Sequence, residues 1–426
     1  MTDPAERAVD APEQRRVLAV LVTAQILSGA GLAAGITVGA LLAQQMFDST
    51  TLSGVPVLLF TVGSAAAAVG IGRLSHVRGR RWGLASGYLV GAVGAAGVVL
   101  AATADNVPLL LLALAVYGAG TAANLQARYA GADLAAPHRR ARAVSIVLVA
   151  TTLGAVAGPN LTGTMRGLAE SWGLPGLAGP FVLAGVAYAL AGVVLWVALR
   201  PDPLLLARER AAEREVAGDT THDEPGDGEG SRSLVAVGAS VMVTAQIVMA
   251  AVMTMTPIHM ASHHHSLGAI GAVIGAHVAA MYLPSPLSGW LVDRYGPRAV
   301  AASSAFVFLA CGLVIALTSP SSVVGVLIAL LLLGFGWSLG LISGTAMVTS
   351  GAPVATRAKV QGNVDFLIAL AGATGGALSG LVLVYAGYPA LALGGGVLAL
   401  ALVPVVARRS VTAARSAQSA QGALRE

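Results

Sequence analysis

Gly289-Trp290-Leu291-Val292-Asp293-Arg294-Tyr295-Gly296-Pro297-Arg298 separates two strongly apolar runs. At an offset of 217, Gly72-Arg73-Leu74-Ser75-His76-Val77-Arg78-Gly79-Arg80-Arg81 separates two more. The two stretches share a leading glycine, a second glycine seven residues on, and a basic character. Working outward, the same offset pairs Arg142 with Lys359, and Val22-Thr23-Ala24-Gln25-Ile26 recurs as Val243-Thr244-Ala245-Gln246-Ile247. A chain that repeats itself this way is read as two halves of one duplicated unit.

Each unit is built for hydrocarbon. Apolar residues make up 56% of the 426 residues and charged residues only 11%, with a mean hydropathy of +0.78; such a composition excludes an ordinary soluble protein. Runs of about 20 apolar residues, each able to cross a bilayer, are expected at 17–40, 52–72, 82–103, 108–127, 143–165, 180–199, 234–258, 267–290, 299–318, 323–349, 360–384 and 389–407. The expected fold is all-α, with twelve transmembrane helices in two pseudo-symmetric six-helix bundles. An N-tail (1–16), a first bundle (17–199), an acidic linker (200–233), a second bundle (234–407) and a C-tail (408–426) follow. With both termini inside, Arg166 is the one basic residue of 25 that falls outside, a strong positive-inside pattern. The net charge of +5 is therefore a topology signal and not a nucleic-acid footprint. The partner implied is the lipid bilayer, and a monomer is expected. No short cleavable signal precedes the first span, which is expected to be retained. Within the linker, 207–215 could form a short helix with i,i+4 charge pairs, and 219–233 is expected to be disordered. Cys311, the single cysteine, precludes an intramolecular disulfide and reads as packing.

Residues 242–281 concentrate soft ligands. They hold six of the 10 Met and five of the 8 His. Met249 with Met253, and His277 with Met281, are spaced i,i+4, which places each pair on one helical face. Thioether and imidazole are the neutral side chains that suit Cu(I). Met242, Gln246, Met249 and Met253 form one helical stripe. Taking residue 262 as the turn puts Met249 and His277 within about 3 Å of one depth at 1.5 Å per residue, with Met253 above and Met281 and Met242 below. Met255, His259, Met260 and His263-His264-His265 would line the outer mouth. The alternatives are plain ones. Met fills gaps in apolar cores, and an exposed His run can be a solvated loop. A histidine deep in a span is harder to explain by packing alone. Gln25 and Gln246, at equivalent places, either orient cargo or bond helices together. Pro284 and Pro286 should kink the eighth span.

The glycine- and basic-rich stretch 289–298, its partner 72–81, and Gly154 with Gly158-Pro159 resemble signature motifs of the major facilitator superfamily. The resemblance implies secondary transport by alternating access. It assigns Asp293 and Arg294 to the gating loop and brings the inner ends of the fourth and eleventh spans together. Arg128 and Asp365 could then pair as an inner gate, as a permanent structural pair, or with Asp365 as a proton site. His76 stands where the family has Asp. The Met249/Met253 and His277/Met281 pairs further resemble those of the CcoA-like (CalT) bacterial copper importers. That resemblance implies copper as transported substrate, no permanently bound cofactor, and a bacterial cytoplasmic (inner) membrane location with both termini cytoplasmic. Alternatives left open are import of a small organic cargo such as riboflavin and proton-coupled export of drug-like molecules. No phosphate-binding loop and no nucleophile–base set argues for an ATPase or another enzyme.

Overall fold

A computed structural model describes residues 12–33, 38, 42, 45, 46, 55–217 and 229–407. The expectations for the N-tail up to 11, most of the outer part of the first span, the linker at 218–228 and the C-tail lie outside these residues. The described chain is helical throughout. The first half contains α1 (Pro12–Ala33), α2 (Val55–Arg78), α3 (Arg80–Thr103), α4 (Val107–Ala132), α5 (Arg140–Ser171) and α6 (Gly179–Ala198). A linker helix, α7 (Pro203–Val216), follows. The second half contains α8 (Glu229–Ser262), α9 (Leu267–Tyr282), α10 (Ser285–Tyr295), α11 (Pro297–Leu317), α12 (Val323–Gly351) and α13 (Arg357–Leu400). Among the described residues, nine segments are long and apolar enough to cross a membrane. One of them, Arg357–Ala407, holds two expected spans, because Gly387 breaks α13 at φ 83°. With α1 and α5, every expected span has its helix.

Local chemistry sets the breaks. Asn106, Ser266 and Ser322 cap α4, α9 and α12 by accepting from Leu109, Ala269 and Gly325 amides, which satisfies otherwise orphaned donors. Gly79 and Gly296, at equivalent places, carry φ values of 90° and 85°. A side chain there would be strained, so the two glycines turn α2 into α3 and α10 into α11. The expected kink of the eighth span falls at 283–284, between α9, which stops at Tyr282, and α10, which Pro284 caps. Two boundaries move. The linker helix runs from 203 to 216, longer than 207–215, because Asp202 caps it on the Leu204 and Leu205 amides. Residues 229–233, expected to be disordered, are the first turn of α8.

Each half has its own apolar core: one around Leu21, Tyr88, Tyr117 and Tyr188, the other around Val252, Phe308, Leu333 and Trp337. The halves meet where α2 packs on α13 and α5 on α10. Gly72 lies against Ala358 and Gly362, and Gly289 against Ala141 and Ser145. These are equivalent contacts at the offset of 217, and both sit at the end of the bundle that carries the basic loops. That basic end is closed.

Candidate functional site

Two ion pairs of the basic end, Arg128–Asp365 and Arg80–Asp133, are buried where the halves meet. Arg128 on α4 donates from Nη2 to Asp365 Oδ1 on α13 at 2.6 Å, and Tyr129 donates to the same oxygen at 3.2 Å. Arg128 also donates to the Leu125 carbonyl and, from Nε, to Thr345 Oγ1 on α12 at 3.1 Å; its guanidinium lies 4.1 Å from the Tyr129 ring centroid. Thr345 in turn donates to Met242 Sδ at 3.5 Å. Arg80 on α3 is fully buried; it pairs with Asp133 at 2.8 Å and donates to Gln361 Oε1 on α13. A buried ion pair needs this many partners to offset its desolvation. Asp293 accepts from the Ala141 and Arg142 amides at 3.1 and 2.9 Å, so the second half caps the start of α5 in the first. Arg294, expected to share the gating, is exposed on the last turn of α10.

The soft ligands divide. Met242 is buried, and its thioether accepts from Thr345 on α12, beside the Arg128–Asp365 pair. Met255 and Met260 are core residues, 6% and 0% exposed. They do not line a mouth, because their side of α8 packs inward. Met281 also packs in the second core, while Met249 and Met253 are half-buried against it. The helices carrying the two pairs make little contact: α8 packs chiefly on α13 and α12, and α9 on α12. The turn is 263–266, not 262, which changes the depths. Met253 lies nine residues before the end of α8 and His277 ten after the start of α9; Met249 lies 13 before and Met281 14 after. At 1.5 Å per residue each pairing agrees to about 1.5 Å. By this count Met253 is level with His277 and Met249 with Met281, one rung above another, on two helices that make little contact.

His277 is the unusual member. It is fully buried, and its Nδ1 lies 2.8 Å from the Leu330 carbonyl of α12. A carbonyl only accepts, so Nδ1 carries the proton. Nε2 is then a lone pair, buried and without a hydrogen-bond partner among the described residues. An imidazole that gives its other N–H to a backbone carbonyl is the arrangement of a metal ligand.

At the opposite end, His259 stacks on Tyr388 with centroids 4.3 Å apart. His263 lies 4.5 Å from the His259 ring, with its Nδ1 2.8 Å from the His259 carbonyl. His264 is exposed at φ 63°, and His265 is half-buried. Among the described residues, no three His, Cys, Asp or Glu side chains form a metal cluster. Gln25 does not face a cavity. Its amide is buried and spends all its capacity on Asn124, Thr151 and Tyr88. Gln246 accepts from Trp337 Nε1 at 2.9 Å and is only half-buried. The equivalent glutamines thus differ in role.

Comparison with known proteins bears on all of this. The profile of the Major Facilitator Superfamily matches residues 21–239 and 238–425, one match for each half. The chain belongs to this superfamily. It is 54% identical, over 92% of its length and 91% of the relative's, to the uncharacterized MFS-type transporter YdeG of Bacillus subtilis. It is 32% identical, over 94% of its length and 97% of the relative's, to the riboflavin transporter RfnT of Brucella anthropi. Among solved structures it resembles the human organic anion transporter MFSD10, with a TM-score of 0.73 over 92% of this chain and 99% of that one. It likewise resembles the proton:xylose symporter XylE, with a TM-score of 0.72 over 92% and 94%. Both are 16% identical to this chain, a likeness of fold. The protein is accordingly a multi-pass membrane transporter of the superfamily.

Within that fold, sequence reading brought Arg128 to Asp365 but missed Arg80, Gln361, Thr345 and Tyr129. A signal for Arg80 existed. It is a charged residue one position into α3, just past the turning Gly79, where a guanidinium must reach either water or a carboxylate. Thr345 and Gln361 carry no such signal, because polar neutral residues are ordinary in these helices.

Proposed function

We propose that the protein imports copper, as Cu(I), with the basic loops and both termini on the cytoplasmic side of a bacterial inner membrane. The observation that carries this reading is His277, whose Nδ1–H is held by Leu330 and whose buried Nε2 lone pair has no partner among the described residues. Leaving such an atom unpaired costs free energy unless a ligand visits it. Met253 at the same depth, and Met249 with Met281 one turn nearer the basic end, supply soft thioethers. Low-coordination rungs suit transport, since each must release what it takes. In the closed state the two helices stand apart. The rungs would assemble fully only as α8 and α9 approach, which ties ligation to the conformational cycle.

Import of a planar organic cargo is the second reading. It is favoured by the relative that carries riboflavin and by the Tyr282–Trp337 edge contact, 5.6 Å between centroids, beside Gln246. Uptake of radiolabelled copper and of riboflavin, measured in the same cells, separates the two. The decisive variant is His277→Asn, whose amide can still donate to Leu330 but offers no imidazole lone pair. Copper uptake is expected to fall at least about tenfold, as loss of even an outer-shell partner does at metal sites, with the protein's abundance in the membrane unchanged. Full copper uptake by this variant, or uptake of riboflavin alone, would end the copper reading.

A further inference from the structure

The two loops that turn at Gly79 and Gly296 are packed alike but latched differently. In the second half, Asp293 caps α5 across the interface. Its equivalent is His76, and the equivalent helix start is 358–359 on α13. Gly72 nevertheless lies against Ala358 and Gly362 as Gly289 lies against Ala141 and Ser145, so the interface is preserved and only the acid is missing.

Arg208 occupies the gap. It belongs to neither bundle but to α7, the helix of the linker. Its Nη1 donates to the His76 carbonyl at 2.8 Å, and its Nη2 lies 3.1 Å from His76 Nδ1. The same guanidinium donates to the carbonyls of Ala355 at 2.7 Å and Val354 at 3.3 Å, in the turn that leads into α13. Three donor nitrogens in a rigid fork thus span first-half and second-half backbone, a task that suits arginine and not lysine. The helix that carries it is anchored to the first half. Asp202 Oδ2 accepts from the Arg81 amide at 2.8 Å while Oδ1 caps α7, and Leu204 is fully buried.

We propose that Arg208 is a gating residue. The linker helix supplies the latch that the first-half loop lacks, and opening of the basic end must detach Arg208 from the 354–355 turn. The linker is then part of the gate. This holds whatever the cargo, so its test uses no cargo.

The full chain, with Cys311 replaced by Ala, is placed in lipid nanodiscs and carries spin labels at exposed positions on the basic ends of α3 and α11. Pulsed dipolar spectroscopy reports the closed and open populations. Arg208→Ala is expected to shift the ratio toward open by roughly tenfold, within the usual range of a coupling of this kind. Adding His76→Asp should restore most of the closed population, because an acid at that position can cap Ala358 and Lys359 as Asp293 caps Ala141 and Arg142. A merely structural role for α7 predicts no such rescue. If Arg208→Ala does not accumulate, Arg208→Lys, which keeps the charge and loses the fork, should give a smaller shift of the same sign. An unchanged distribution in the measured variant, or a double variant no more closed than Arg208→Ala alone, overturns the proposal.

Discussion

Asp365→Asn removes one charge from the closed basic end and keeps the side chain's shape. In the closed state Arg128 Nη2 lies 2.6 Å from Asp365 Oδ1, both groups being almost fully buried. Two unit charges about 4 Å apart attract by about 4 kcal/mol at an effective dielectric of 20. The variant does not lose all of this. The guanidinium keeps Thr345, Tyr129 and Leu125 as partners, and an Asn carbonyl can still accept from Nη2. In the open state both groups meet water, where the pair is worth little. The differential loss is therefore about 2–3 kcal/mol, or roughly 30–150-fold in the ratio of closed to open. The sign is toward open, because the interaction exists only when α4 and α13 meet. Distances between spin labels on the basic ends of α4 and α13, in nanodiscs at neutral pH, give that ratio directly. Exchanging the two charges, Arg128→Asp with Asp365→Arg, should recover part of the closed population that each single variant loses. An unchanged distance distribution in Asp365→Asn would refute the gate. If transport also became independent of pH in that variant, Asp365 would be a proton site instead.

Two further outcomes follow from packing. A Cβ at Gly362 would stand 2.8 Å from the Ala68 carbonyl oxygen and 2.9 Å from Gly72 Cα, so Gly362→Ala should cost the closed state about 1–3 kcal/mol and raise modification of cysteines placed along the interface; equal labelling of variant and parent would contradict this. Gln25→Leu leaves Tyr88, Thr151 and Asn124 without their shared partner and should lower the first half's stability by about 1–3 kcal/mol, seen as a reduced melting temperature with an unchanged transport rate per folded molecule. A lost rate at full stability would instead place Gln25 in the cargo path.

Much of the fold was legible because hydrocarbon forces the pattern. A helix that must bury every backbone polar group in lipid shows itself as an uninterrupted apolar run, and the repeat at 72–81 and 289–298 set the two halves before any contact was known. The pairing of Arg128 with Asp365 was legible because charges within spans are rare and the family resemblance brings the inner ends of the fourth and eleventh spans together. The soft ligands were legible only as types and spacing. Of the residues singled out, Met255 and Met260 proved to be core, and Met242 turned to Thr345. A thioether is apolar enough to pack on either side of a helix, so periodicity does not say which way it faces.

The sequence by itself determined the class, the number of spans, the duplication and the clustering of Met and His, because these depend on composition and local period. Tertiary structure alone decided the rest. It set the turn at 263–266, which puts Met253 level with His277 by residue count. It fixed the imidazole by a carbonyl 53 residues away on α12, and it brought Arg208 from the linker to a loop 132 residues earlier. Those outcomes depend on which backbone carbonyl lies within reach of a donor. Every residue has a carbonyl, so no residue type announces it, and only the packing of one helix on another selects among them.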